Sequence, residues 1–163
     1  MQKKIIIDNR MRSIERTKLK ELGYKLLEIK ENKNLYPEIS SHVDILACKV
    51  GEKIVVEPTQ YANFQEYENF IKGQETVQEK YPLDIKYNVC IIGKKAIHNF
   101  QNTDSKLKEL LINDGYELIN TTQGYTNCSI AVIDDNSAIV SDQGLYKILK
   151  FHGIEVLLVN NNL

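Results

Sequence analysis

Short apolar runs alternate with polar turns along this chain, and one pairing of such runs recurs at a fixed spacing. In residues 42–58, two β-branched and mostly apolar stretches flank a polar turn at Gly51, and Pro58 ends the second. That pattern predicts a β-hairpin. It returns in Val89–His98 around Gly93, 42 residues after Gly51, and in Ile130–Val140, where Asp135 stands a further 42 on. A repeated hairpin implies a repeated unit.

The intervening stretches supply the rest of that unit. Lys4–Ile7 predicts a strand, followed by a helix with Met11, Ile14, Leu19 and Leu22 on one face and Gly23 as its terminator. Tyr24–Ile29 reads as the next strand, and a polar loop from Lys30 to Ser41, with Pro37, leads to the first hairpin. After Pro58 the spacing of Tyr61, Phe64, Phe70 and Ile71 predicts a helix capped by Thr59 and ending near Gly73, with Thr76–Val77 as a remnant strand. The third unit has hairpin 89–98, a helix from about Asp104 with Leu107, Leu110 and Leu111, then Gly115 and a strand. The fourth has hairpin 130–140, a helix capped by Ser141 or Asp142 with Leu145, Ile148 and Leu149, then Gly153 and the strand 154–159. The expectation is one domain, 1–163, with a partial unit at 1–41 and units at about 42–83, 84–125 and 126–163. That makes about three and a half strand–strand–helix–strand units of about 40 residues, each leaning on its neighbours. Val156–Val159 or the first strand would be left with open edges, which predicts a homo-oligomer or a partner segment.

Composition narrows the function. With 163 residues, 42% hydrophobic and 26% charged, the chain has an ordinary globular make-up. A formal net charge of −1 with interleaved signs gives no basic face, so nucleic-acid binding is not expected. No apolar run is long enough for a signal peptide or a membrane span, so no membrane association and a cytoplasmic location are expected. Three widely spaced cysteines argue for reduced thiols. Cys48 and Cys90 fall inside apolar strands and read as buried and inert. Cys128 differs, standing among Gln123, Gly124, Tyr125, Thr126, Asn127 and Ser129 just before a strand. No His or Cys pair has metal-ligand spacing and no Gly-rich phosphate loop follows a strand, so neither metal nor cofactor is expected.

The 42-residue register brings distant residues together. Asp44 maps onto Lys86 and Cys128, and His42 onto Asp84 and Thr126. The leading ends of the hairpins therefore offer His42, Asp44, Asp84, Lys86 and Cys128 as a cluster, with Asp8, Asn9, Arg10, Glu57, Asn99 and Asp142 on the same rim. Cysteine, histidine and carboxylates in one cleft suit thiol chemistry on a cationic substrate: a nucleophile, a proton shuttle and an anion to hold the charge. The plainer reading is a small buried cysteine and a His-Val-Asp that caps its own strand start. His98 reads as a packing or surface residue, and His152 as complementing a helix carboxyl end.

These motifs resemble the pentein superfamily of guanidino-group-modifying enzymes, in particular a bacterial branch. His42-Val43-Asp44 is similar to the superfamily's His-x-Asp, and Gln123–Ser129 to its approach to the nucleophilic cysteine. The resemblance implies an α/β, pentein-like β/α-propeller, here an incomplete or open ring. It assigns Cys128 as nucleophile, His42 as general acid/base and Asp44 as guanidinium anchor, with Asp8, Asn9, Arg10, Asp84 and Asn99 around the substrate. A single Gly precedes Cys128 where the enzymes commonly have two, and the architecture also serves non-enzymatic members. The expectation is therefore a non-catalytic module binding a small guanidino compound or a protein partner, with a guanidine hydrolase or amidinotransferase as the alternative.

Overall fold

A computed structural model describes residues 3–159. The chain opens with β1 (Lys4–Asp8), α1 (Ser13–Glu21) and β2 (Lys25–Ile29). Then come α2 (Val43–Leu46), β3 (Ala47–Val50), β4 (Lys53–Val56) and β5 (Phe70–Lys72), followed by β6 (Cys90–Ile92), β7 (Lys95–His98), α3 (Ser105–Asn113) and β8 (Glu117–Asn120). The last group is α4 (Thr126–Ser129), β9 (Ile130–Asp134), β10 (Ser137–Val140), α5 (Gln143–Phe151) and β11 (Glu155–Leu158).

These strands form four small sheets. Three have three strands each, ordered β3-β4-β5, β6-β7-β8 and β9-β10-β11, and the first has only β1 and β2. In every three-stranded sheet the middle strand pairs antiparallel with the strand before it and parallel with the strand after it. β1 and β2 repeat the parallel half of that arrangement. Local chemistry explains the boundaries. Asp104 and Asp142 cap α3 and α5 by accepting the amides of Leu107 and Leu145 at 2.9 and 2.7 Å. Gly115 and Gly153 end the same helices at φ +73° and +75°, backbone that a side chain would strain.

Packing follows one rule. In register across the second sheet lie Cys48, Val55 and Ile71, and across the third lie Cys90, Ile97 and Ile119. Leu107 and Leu111 of α3 share a core with Cys48 and Val55, and Leu145 and Leu149 of α5 share one with Cys90, Ile97 and Ile119. α3 and α5 thus each seal the sheet of the unit before their own. The hydrophobic effect therefore acts between units as much as within them.

The structure departs from the sequence expectation in three places. No helix spans 59–73; a 3-10 turn at Tyr61–Asn63 precedes strand β5. The aromatic spacing that suggested helix serves a different contact, since Phe64 and Phe70 stack at 4.7 Å and Phe70 pairs with Ile54 in β4. Val77, expected in a remnant strand, is a fully buried plug in a loop. The leading run of the first hairpin is also not all strand, because Val43–Leu46 makes one helical turn before β3, as Thr126–Ser129 does before β9.

Leu149→Ala should cost about 2–5 kcal/mol in urea denaturation, because it opens a cavity between units. Leu157→Ala, on an exposed strand position, should stay within about 0.5 kcal/mol. Equal losses would contradict the packing rule.

Candidate functional site

The helical turns α2 and α4 bring Asp44 and Cys128 together across 84 positions of sequence. The Cys128 thiol donates to Asp44 Oδ2 at 2.6 Å. Between them lies Asn88, fully buried, on the segment that leads into β6. Its Nδ2 is 3.0 Å from Asp44 Oδ2, 3.0 Å from the Asp44 carbonyl and 3.2 Å from Cys128 Sγ. Its Oδ1 accepts the amides of Asn127 at 2.9 Å and Cys128 at 3.4 Å, which holds the start of α4. One side-chain amide therefore orients both the carboxylate and the thiol. The register pointed to Lys86 for this place, but Lys86 turns away to Glu75 at 2.6 Å.

The environment sets the thiol's state. Burial, the hydrogen bond to Asp44 and its negative charge push the Cys128 thiol up to about 12. At neutral pH it is a protonated donor. Cys48 and Cys90 are also pushed up to about 12, by burial first, and all three cysteines are free. Cys128 differs in opening onto a hollow of about 260 Å³, lined by Ser129, Ile130, Ala131, Ile139, Val140, Ser141 and Val159.

His42 caps α2 through its backbone, and among the described residues its ring makes no hydrogen bond to Cys128 or Asp44. Asp8 and Arg10 face each other: Arg10 Nη2 is 2.8 Å from Asp8 Oδ2, and Nη1 donates to the Pro37 carbonyl at 2.7 Å. Ser41, next to His42, donates to Asp8 Oδ1 at 2.8 Å. Burial alone would raise the Asp8 carboxyl, but these hydrogen bonds and the Arg10 charge hold it at about 2. This pair fastens the loop that delivers His42. Asn9 accepts from Arg16 through its backbone carbonyl, and Asn99 accepts from the Asn102 amide in the same way. Asp84 is buried with Oδ2 accepting the Tyr125 hydroxyl and, among the described residues, Oδ1 without a partner. Among the described residues no group of His, Cys, Asp or Glu has the geometry to hold a metal ion.

The loop before Cys128 is held from beneath by buried groups. His98 is fully buried, its Nε2 2.9 Å from the Gly124 carbonyl and its Nδ1 2.6 Å from the Thr103 hydroxyl. The carbonyl can only accept, so Nε2 carries the proton and Nδ1 accepts from Thr103. A Cβ at Gly124 would lie 2.3 Å from Ile85 Cδ1, so a side chain there would displace that buried methyl. Thr126, also buried, places its hydroxyl 2.7 Å from the Ile97 carbonyl and 2.8 Å from the Asn88 carbonyl.

Residues 6–162 match the model of a family described as "Family of unknown function (DUF6873)". The chain belongs to this family. No curated protein matches this DUF6873 chain in sequence. Among solved structures, the N-terminal domain of ArgZ, an arginine dihydrolase from cyanobacteria, is similar at a TM-score of 0.51 and 16% identity, over 77% of this chain and 45% of that one. The inosamine-phosphate amidinotransferase StrB1 from Streptomyces griseus aligns at 0.35 and 13%, over 98% of this chain and 38% of that one. The amidinotransferase SxtG from Microseira wollei aligns at 0.36 and 16%, over 98% and 37%. The chain spans less than half the length of each of these structures. Its fold is that of the penteins, as an open arrangement of units, and the likeness to ArgZ carries that assignment. Among the described residues no helix is long and apolar enough to cross a membrane.

His98 yields a pH prediction. Burial drives its pKa from 6.5 down to about 4. The unfolded chain then binds a proton that the folded chain refuses, so stability falls as pH drops from about 6.5 toward about 4. Urea midpoints should show a loss on the order of 2 kcal/mol between pH 7 and pH 5, and His98→Gln should flatten that slope. Identical slopes in the two proteins would contradict the buried neutral imidazole.

Proposed function

We propose that this chain is a binding module of pentein fold that holds a small cationic guanidino compound at Asp44, Asn88 and Cys128 without turning it over. The observation that carries the reading is the Cys128 thiol, held protonated against Asp44 and pushed up to about 12. A thiol in that state is a poor nucleophile at neutral pH, and the His42 ring has no hydrogen bond to it. Asp44 can exchange the thiol proton for guanidinium N–H groups, a charge-assisted pairing with two parallel bonds. The neighbouring hollow suits a small head group.

A second reading has a specific observation in its favour. A thiol and a carboxylate meeting from 84 residues apart is the arrangement that guanidine hydrolysis or amidino transfer needs, and the ArgZ relative is an arginine dihydrolase. In that reading a guanidinium bound to Asp44 displaces the thiol hydrogen bond, the thiol proton passes to the His42 imidazole, and the Cys128 thiolate bonds to the guanidinium carbon as the C–N bond to the leaving amine breaks. His42 protonates the departing amine, and water or a second amine breaks the C–S bond.

Thermal denaturation with arginine, agmatine or methylarginines separates these readings. The binding module predicts a raised melting temperature that Asp44→Ala abolishes and Cys128→Ser retains, with no urea, ammonia or citrulline-like product. Product release that requires Cys128 would establish the catalytic reading instead. No shift with any of these compounds at millimolar concentration would rule out the guanidino ligand.

A further inference from the structure

The second unit has no helix between its strands, and the face that such a helix would cover belongs to the first sheet. Ile6 and Leu27 pair across that sheet as Val55 and Ile71 do across the second and Ile97 and Ile119 across the third. The later rows lie against α3 and α5, whereas only the 3-10 turn at Tyr61–Asn63 stands between β4 and β5. Val55 and Ile97 are completely buried, but Ile6 is half-buried. A hollow of about 640 Å³ remains, floored by Ile6, Leu27, Ile54 and Phe70. Its walls come from β1 and β2 on one side and from β3, β4 and β5 on the other, so it lies inside the chain, between two of its own sheets.

The charges at its rim are unmatched as well. Where a helix seals a sheet, the residue that caps its carboxyl end pairs with the first residue of a strand beneath: Asp114 meets Lys53 at 3.1 Å, and His152 meets Glu117 at 2.7 Å. On the first sheet Lys4 holds the place of Lys53, and Lys25 that of Glu117. Both ammonium groups stand over the Tyr67 ring, 4.4 and 5.2 Å from its centre, and Lys49 lines the same hollow. Among the described residues none of these three lysines makes an ion pair, although Glu52 is in the wall and Glu66 is near Lys25.

We propose that this hollow binds a small alkyl carboxylate, with its head group between Lys4 and Lys25 and its chain against Ile6, Leu27, Ile54 and Phe70. Such a ligand supplies what α3 supplies to the second sheet: the apolar bulk of Leu107 and Leu111 and the carboxylate of Asp114. Burial of the alkyl chain drives entry, and the two ammonium groups select an anion. The volume is in the range of small-molecule sites. Asp44, Asn88 and Cys128 do not line it, and the inference stands independently of the guanidino reading.

Octanoate, titrated into the isotope-labelled full chain, is the test. The amide resonances of Ile6, Leu27, Tyr67 and Phe70 should shift saturably, while that of Cys128 stays in place. Lys4→Gln and Lys25→Gln, both at exposed positions, should each weaken binding about tenfold, the loss of one charge-assisted hydrogen bond. Lys106→Gln, on the exposed side of α3, should leave it unchanged, and undisturbed spectra confirm that each variant folds. Octylammonium, with the same chain and the opposite charge, should not shift these amides. No saturable change up to roughly 10 mM, beyond the weak end of measurable affinity, overturns the proposal. So does octylammonium binding equally well, or octanoate binding that both lysine variants leave unmoved.

Discussion

Everything in this molecule depends on the seal between one unit's helix and the sheet of the unit before it. A three-stranded sheet has two faces, and a single short helix can cover only one of them. The other face must borrow a neighbour, and so Cys48 with Val55 lies against α3, and Cys90 with Ile97 against α5. Rotation from one unit to the next follows from that contact, and it carries the hairpin starts toward one place. The meeting of Asp44 and Cys128 is a consequence of core packing before it is a matter of chemistry.

At that meeting point the energetics are polar. Asn88 has no exposure, so its amide must find partners or cost about 1–3 kcal/mol for each group left unsatisfied. It finds them in Asp44, Cys128 and the first amides of α4. Beneath it, His98, Thr103, Gly124 and Thr126 tie the approach loop to β7 and β6. The thiol is thus placed by rigid, buried groups while its own surface stays open to the hollow.

Much of this was legible from residue order. The 42-residue spacing of the hairpins was enough to anticipate the three antiparallel strand pairs and to set Asp44 beside Cys128. The second unit was misread because Phe64 and Phe70 are spaced like one helix face but stack on each other across a turn. Asn88 escaped notice because the register counts residues, whereas the third unit enters its sheet through a turn at Lys86–Tyr87 that moves the inward position two places on. The support from His98 was hidden for a related reason: its partner Gly124 is 26 residues away, on the loop before the next unit.

The ionisation of Cys128 tests the account most directly, because the positions of Asp44 and Asn88 and the hydrogen bond to the carboxylate all act on that one proton. The measurement is the Cys128 Cβ chemical shift followed against pH, in the wild type and in Asp44→Asn. The account predicts a thiol that stays protonated well above its ordinary range in the wild type and titrates at clearly lower pH once the carboxylate is an amide. A thiolate already present at neutral pH in the wild type, or a titration that Asp44→Asn leaves unmoved, would contradict it.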